Sequence, residues 1–110
     1  MIFISRMRLR LSYTLKVIQM VKIRFSSALS NVTHARETTL ELGNTTVKEV
    51  LDKLIAQFGA DFEKRILDKG EVRRFVNLYV NGEDIRHLNG LASPVKDADE
   101  ISILPAVSGG

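Results

Sequence analysis

The 110-residue chain contains no cysteine. Disulfides, thiolate-type zinc sites and a cysteine nucleophile on this chain are therefore excluded, and any sulfur it handles is not held on a side-chain thiol. Histidine is scarce: His34 and His87 lie far apart in sequence, in no metal-ligand spacing, so each reads as a solvated surface residue and no metal site is assigned. A glycine-rich phosphate loop is missing, and no serine is flanked by the glycines of a nucleophile elbow. Repeats and low-complexity tracts are missing too. Charges interrupt the N-terminal apolar residues, which excludes a transmembrane helix there. With this inventory the chain is expected to catalyse nothing by itself and to bind no cofactor of its own.

What is present suits one modest core: 45% of residues are hydrophobic, enough for a single cytoplasmic globular domain. The formal charge of +3 raises the question of nucleic acid or an anionic membrane. Its distribution argues against both. Arg6, Arg8, Arg10 and Lys16 put +4 into residues 1–19, which hold no acid, and this leaves residues 20–110 at −1. The basic N-terminal extension has three readings. It is a non-essential segment ahead of a natural start at Met20, a targeting peptide, or an added edge strand or dimerising arm. The last rests on Met7, Leu9, Leu11, Tyr13, Leu15 and Val17 alternating with polar residues at a period of two.

From Met20 the pattern predicts a domain over residues 20–104. Val21, Ile23 and Phe25 alternate with Lys22 and Arg24 as a first strand. Ser26 to Arg36 reads as a polar connection with a short turn near Ala28-Leu29, and Glu37 to Leu42 as a second strand. Thr46 with Glu49 makes a capping box. Val47, Val50, Leu51, Leu54, Ile55 and Phe58 then form one apolar helical stripe, closed by Gly59 as a left-handed cap. Asp61 is expected to cap a shorter helix through about Leu67, ended by Lys69-Gly70-Glu71. Phe75, Val76, Leu78 and Val80 give a third strand, Asn81-Gly82 a hairpin turn, and Glu83 to Ile85 a short return strand. Asp97-Ala98-Asp99 turns into a last strand, Glu100 to Leu104. Its carboxylates, with Glu100, read as turn and strand-entry residues rather than an acidic site. One amphipathic helix over a mixed sheet of four to five strands is an α+β domain.

Directly after that strand come Pro105, Ala106, Val107, Ser108, Gly109 and Gly110, read as a flexible tail over residues 105–110. Glycine has no Cβ and a wide φ/ψ range, so such a tail can thread a narrow channel. Its carboxyl carbon is also unhindered to a nucleophile, which points to acyl activation of a terminal carboxylate by a partner enzyme. A frayed terminus with no purpose is the plain alternative.

The run from Val80-Asn81-Gly82, through Lys96-Asp97-Ala98-Asp99-Glu100-Ile101, to Pro105-Ala106-Val107-Ser108-Gly109-Gly110 resembles the MoaD family, the small ubiquitin-like sulfur carriers of molybdopterin synthase. One departure is Ala98, where that family usually carries glycine. The resemblance implies a β-grasp fold with the first and last strands side by side at the centre. It implies adenylation of Gly110 with ATP by an E1-like enzyme, conversion to a thiocarboxylate, and insertion of Pro105 to Gly109 into the large subunit of molybdopterin synthase. The chain would be the small, non-catalytic subunit. A ubiquitin-like modifier joined through Gly110 to lysines of other proteins keeps the same fold and tail. An interaction module with inert glycines is a third reading. A docking patch on the sheet face away from the helix, including Phe75 or Tyr79, is expected if these side chains are exposed rather than core.

Overall fold

The computed structural model describes residues 19–105. The alternating pattern over Met7 to Val17 and the tail residues Ala106, Val107, Ser108, Gly109 and Gly110 lie outside the described residues.

Strand β1 (Val21–Phe25) buries Val21, Ile23 and Phe25 and exposes Lys22 and Arg24, as its alternation dictates. The segment read as a polar connection instead forms helix α1 (Ser27–Thr33). Ser26 caps it, its hydroxyl accepting from the Leu29 N–H at 3.3 Å. His34 closes it at φ 61° and donates its N–H to the Ser30 carbonyl at 2.8 Å. The helix is held by one fully buried leucine, Leu29, and by Thr33, whose buried hydroxyl donates to the Ala35 carbonyl at 2.8 Å. A threonine with its polarity satisfied locally acts as core, which hydrophobic periodicity cannot register.

Strand β2 (Glu37–Leu40) stops two residues short of the predicted Leu42. After the two-residue strand β3 (Thr45–Thr46), helix α2 (Val47–Phe58) begins where expected, with the Thr46 hydroxyl accepting from the Glu49 N–H at 3.3 Å. The capping box is only half made. The Glu49 carboxylate instead accepts from the Thr45 hydroxyl. Val47, Val50, Leu51 and Leu54 are buried, with Ile55 and Phe58 packed against the same core.

Gly59 has the expected positive φ of 92°, but its ψ of −169° is extended rather than left-handed helical. It closes α2 and starts helix α3 (Ala60–Ile66) at once, so the chain must change direction within one residue. Asp61 lies in the first turn of α3 and does not cap it; that position belongs to Gly59, which has no side chain to offer. Phe62 and Ile66 are fully buried. Leu67 leaves the helix to begin a small hairpin, β4 (Leu67–Asp68) with β5 (Glu71–Val72), turned by Lys69 and Gly70 at φ 55° and 82°.

Strand β6 (Val76–Val80) starts one residue later than predicted, leaving Phe75 outside it. Asn81 and Gly82 at φ 52° and 86° make the tight turn into β7 (Glu83–Asp84). Ile85 leaves the strand and is buried in a 3-10 turn (Ile85–His87), followed by a second (Gly90–Ala92). Strand β8 (Pro94–Val95) pairs with β3, and β9 (Glu100–Pro105) is the last element of the described residues.

The five-stranded sheet runs β2-β1-β9-β6-β7, with β1 and β9 parallel and the other pairs antiparallel. The first and last strands therefore lie side by side at the centre, in the β-grasp arrangement. Val21, Ile23, Val76, Leu78, Ile101 and Ile103 face α2 and α3 in one core. Phe25, Phe58 and Phe62 join β1, α2 and α3, with ring centroids 5.6 to 6.1 Å apart.

Candidate functional site

The site of interest is the point where β9 leaves the domain. Ile101 and Ile103 are buried, Ser102 is half-buried, and Leu104 is exposed. Because β9 lies between β1 and β6, it is paired on one edge from Glu100 to Ile103 and on the other from Ile101 to Pro105, so its last two residues are held by β6 alone. The strand reaches one residue beyond the predicted boundary. Pro105, expected as the first residue of the tail, is its last member, where a missing N–H does least harm to the ladder.

Opposite Pro105 the chain makes a turn over Arg73, Arg74, Phe75 and Val76, closed by the Val76 N–H donating to the Arg73 carbonyl at 3.0 Å. Its two central residues are Arg74 and Phe75. Phe75 is 66% exposed, and the Arg74 guanidinium carbon sits 5.9 Å from its ring centroid. Arg86 fixes this turn from the far side. One guanidinium nitrogen donates to the carbonyls of Arg74 (3.2 Å) and Val76 (2.7 Å) and the other to Asn77 Oδ1 (2.9 Å) and Asp84 (3.4 Å). Strand β7 pairs with β6 only at Tyr79 and Val80, and the Arg86 side chain supplies donors beyond that point. Arg65, Asp68, Arg73, Arg74, Phe75 and Pro105 line a cleft of about 410 Å³ around the strand exit.

Tyr79, the other residue expected in a docking patch, is half-buried and faces away from the core, with Ser102 and Asp84 as cross-strand neighbours. Leu104 shares that open face opposite Asn77. Neither Phe75 nor Tyr79 belongs to the buried core.

At the other end of β9, the acids sort as turn residues. Asp97 Oδ1 accepts from the Met20 N–H at 2.9 Å, and Asp99 accepts from the Lys96 N–H at 2.7 Å and from Asn81 Nδ2 at 2.9 Å. Glu100 meets Arg24 at 3.2 Å. Ala98 takes φ 74°, so the turn keeps the geometry that glycine adopts freely, although alanine occupies it. His34 and His87 end different elements, α1 and the first 3-10 turn. Among the described residues no three His, Asp or Glu side chains gather as a metal site, and no helix is long and apolar enough to cross a membrane.

Of the residues singled out in the tail, the structure places only Pro105. The arginines around it were not foreseen. Arg73-Arg74 is a basic doublet visible in the sequence, but its place beside the strand exit follows from β6 pairing with β9.

The model of the ThiS family matches residues 23–110, through both terminal glycines. The chain belongs to the ThiS family. The resemblance to ubiquitin-like sulfur carriers thus holds for family and fold. Sulfur carrier protein CysO of Mycobacterium tuberculosis is 38% identical over 77 residues, covering 67% of this chain and 82% of the relative. Small archaeal modifier protein 3 of Haloferax volcanii is 37% identical over 67 residues, 61% of this chain and 72% of the relative. The crystal structure of the Amycolatopsis orientalis BexX/CysO complex contains a chain with TM-score 0.72 and 34% identity, over 82% of this chain and 99% of that one.

Proposed function

We propose that this chain is a sulfur carrier whose working group is the Gly110 carboxylate. The observation that carries the reading is the family match running through Gly110, five residues beyond a strand that lies between two others at the centre of the sheet. A carboxylate is a poor acyl donor because oxide is a prohibitive leaving group. An E1-like partner first joins it to the α-phosphate of ATP, releasing pyrophosphate. A sulfide nucleophile then forms the C–S bond as AMP leaves, giving a thiocarboxylate that stays ionised near neutral pH. Its sulfur displaces a leaving group from an electrophilic carbon of the acceptor, and hydrolysis of the acyl–sulfur bond of the resulting thioester leaves the sulfur on the acceptor and restores the Gly110 carboxylate.

The five residues from Ala106 to Gly110 can reach at most about 17 Å from Pro105. The chemistry therefore takes place inside a partner, with Gly109 as the thin spacer and Pro105 to Ser108 as the strip the partner holds. The likeness to a CysO crystallised with BexX supports a carrier that works by docking to another protein. The acceptor carried over from the MoaD resemblance is the pterin precursor of molybdopterin, bound by a large synthase subunit. The likeness to small archaeal modifier protein 3 favours, as a second reading, capture of activated Gly110 by lysine amines.

The deciding experiment is intact mass after incubation with ATP, sulfide and the E1-like enzyme of the same cell. Exchange of one oxygen for sulfur, absent when Gly110 is deleted, supports the carrier. Neither thiocarboxylate nor AMP adduct, with an activating enzyme proven active on another carrier, overturns it. Feeding the loaded chain to pterin precursor plus the large subunit, or searching lysines for a Gly-Gly remnant, separates the two acceptors.

A further inference from the structure

We infer that the turn over Arg73 to Val76 and the neighbouring Arg65 form a basic collar around the tail root, which docks on an acidic surface of the activating enzyme. The inference rests on the carrier reading above and names the chemistry of the partner surface that meets this chain first. Three arginines, Arg65, Arg73 and Arg74, line the cleft at Pro105 with one acidic residue, Asp68. The ion pairs among the described residues involve Lys22, Arg24, Lys48 and Arg86, and none neutralises these three arginines. Guanidinium groups left without carboxylates at one exit suit a surface that supplies them.

Position makes the collar unavoidable. Val76 is the cross-strand partner of Pro105, so a protein that takes in the residues after Pro105 comes up against Arg74 and Phe75. Arg73 is braced within the fold, its Nε donating to the Lys64 carbonyl at 2.6 Å. Arg65 and Arg74 are exposed and make no such bond among the described residues. Phe75 supplies an apolar anchor among the charges, 66% exposed on a backbone pinned at both neighbouring carbonyls by Arg86. A pinned aromatic loses little conformational freedom on binding, which favours it as a contact.

The test uses the full chain and the E1-like adenylating enzyme of the same cell, read by ATP–pyrophosphate exchange. Arg65→Glu with Arg74→Glu is expected to raise KM for the carrier about tenfold, with kcat nearly unchanged, because neither side chain is a reacting group. The KM of the unaltered chain should rise with salt, and that of the double variant should not. Phe75→Ala should raise KM without changing its salt dependence. Arg65→Lys with Arg74→Lys should stay within about threefold of the unaltered chain. A folded charge-reversed variant with unchanged KM overturns the collar while leaving the carrier intact. An unaltered chain that supports no exchange at all overturns the carrier reading and the collar with it.

Discussion

Replacing Ala98 by glycine probes how the chain enters its last strand. Ala98 sits at φ 74°, where the Cβ of an L-residue crowds the following carbonyl oxygen at a cost of about 1–2 kcal/mol. It has no freedom to leave. Its own N–H donates to the Met20 carbonyl at 2.9 Å, and the flanking carboxylates of Asp97 and Asp99 are held by the N–H groups of Met20 and Lys96. Glycine removes the steric cost, but it also raises the entropy of the unfolded chain by the equivalent of about 0.4–1 kcal/mol. The side chain is exposed, so packing contributes little to the balance. The expected net effect of Ala98→Gly is a stabilisation of about 0.5–1 kcal/mol, or roughly 2–6 °C in Tm for a domain of this size. Ala98→Val should move the other way by about 1–2 kcal/mol, since branching at Cβ sharpens the same clash. Urea unfolding of the three proteins at equal slope gives the order directly. A glycine variant less stable than the parent would refute the idea that this turn stores strain.

Arg86→Ala should cost about 1–2 kcal/mol in chemical denaturation by leaving the Arg74 and Val76 carbonyls without their donor, and Arg86→Lys should recover less than half because an ammonium cannot fork between them. Leu29→Ala, at a fully buried position of α1, should lose about 2–5 kcal/mol, where a surface connection would lose almost nothing. Thr46→Ala removes the hydroxyl cap of α2 and should cost about 1 kcal/mol in the same assay. Deleting Gly110 should leave the unfolding free energy within about 0.5 kcal/mol of the parent while abolishing the thiocarboxylate mass shift.

Strands β1, β6 and β9 and helix α2 were legible because each writes its burial as a clean period of two or of 3.6 in Val, Ile and Leu. Helix α1 was not, since its buried face is one leucine and one threonine whose hydroxyl is satisfied by a carbonyl two residues on. The β4–β5 hairpin escaped for a related reason: two-residue strands are too short to alternate, and Lys69 reaches positive φ without the asparagine that marks such turns. The strand order came from the family resemblance, because periodicity says which face is buried and nothing about neighbours. The same limit applies at the tail root. Arg65 and the Arg73-Arg74 doublet are brought together by the β4–β5 hairpin and the bonds of Arg73 to the Ile66 and Lys64 carbonyls, and the pairing of β6 with β9 adds Pro105 to their cleft.

That pairing also explains why a tail for threading would follow β9 rather than another strand. An edge strand is bonded on one side and can peel, which would move the root of the tail relative to any partner holding the rest of the domain. Strand β9 is bonded to β1 and β6, and its entry is tied to Met20 and Asn81 through the Asp97–Asp99 turn. Pro105 itself pairs only with Val76 of β6, and the ladder to β1 ends at Ile103, so moving the strand as far back as Ile103 would break ladder bonds on two sides and draw Ile101 and Ile103 from the core. The strand can shift at Ile103 only when the sheet opens, so the tail departs two residues beyond a point as firm as the fold itself. A partner that recognises the collar beside Pro105 thereby fixes the origin of the tail, leaving only the orientation of the residues beyond it to be set.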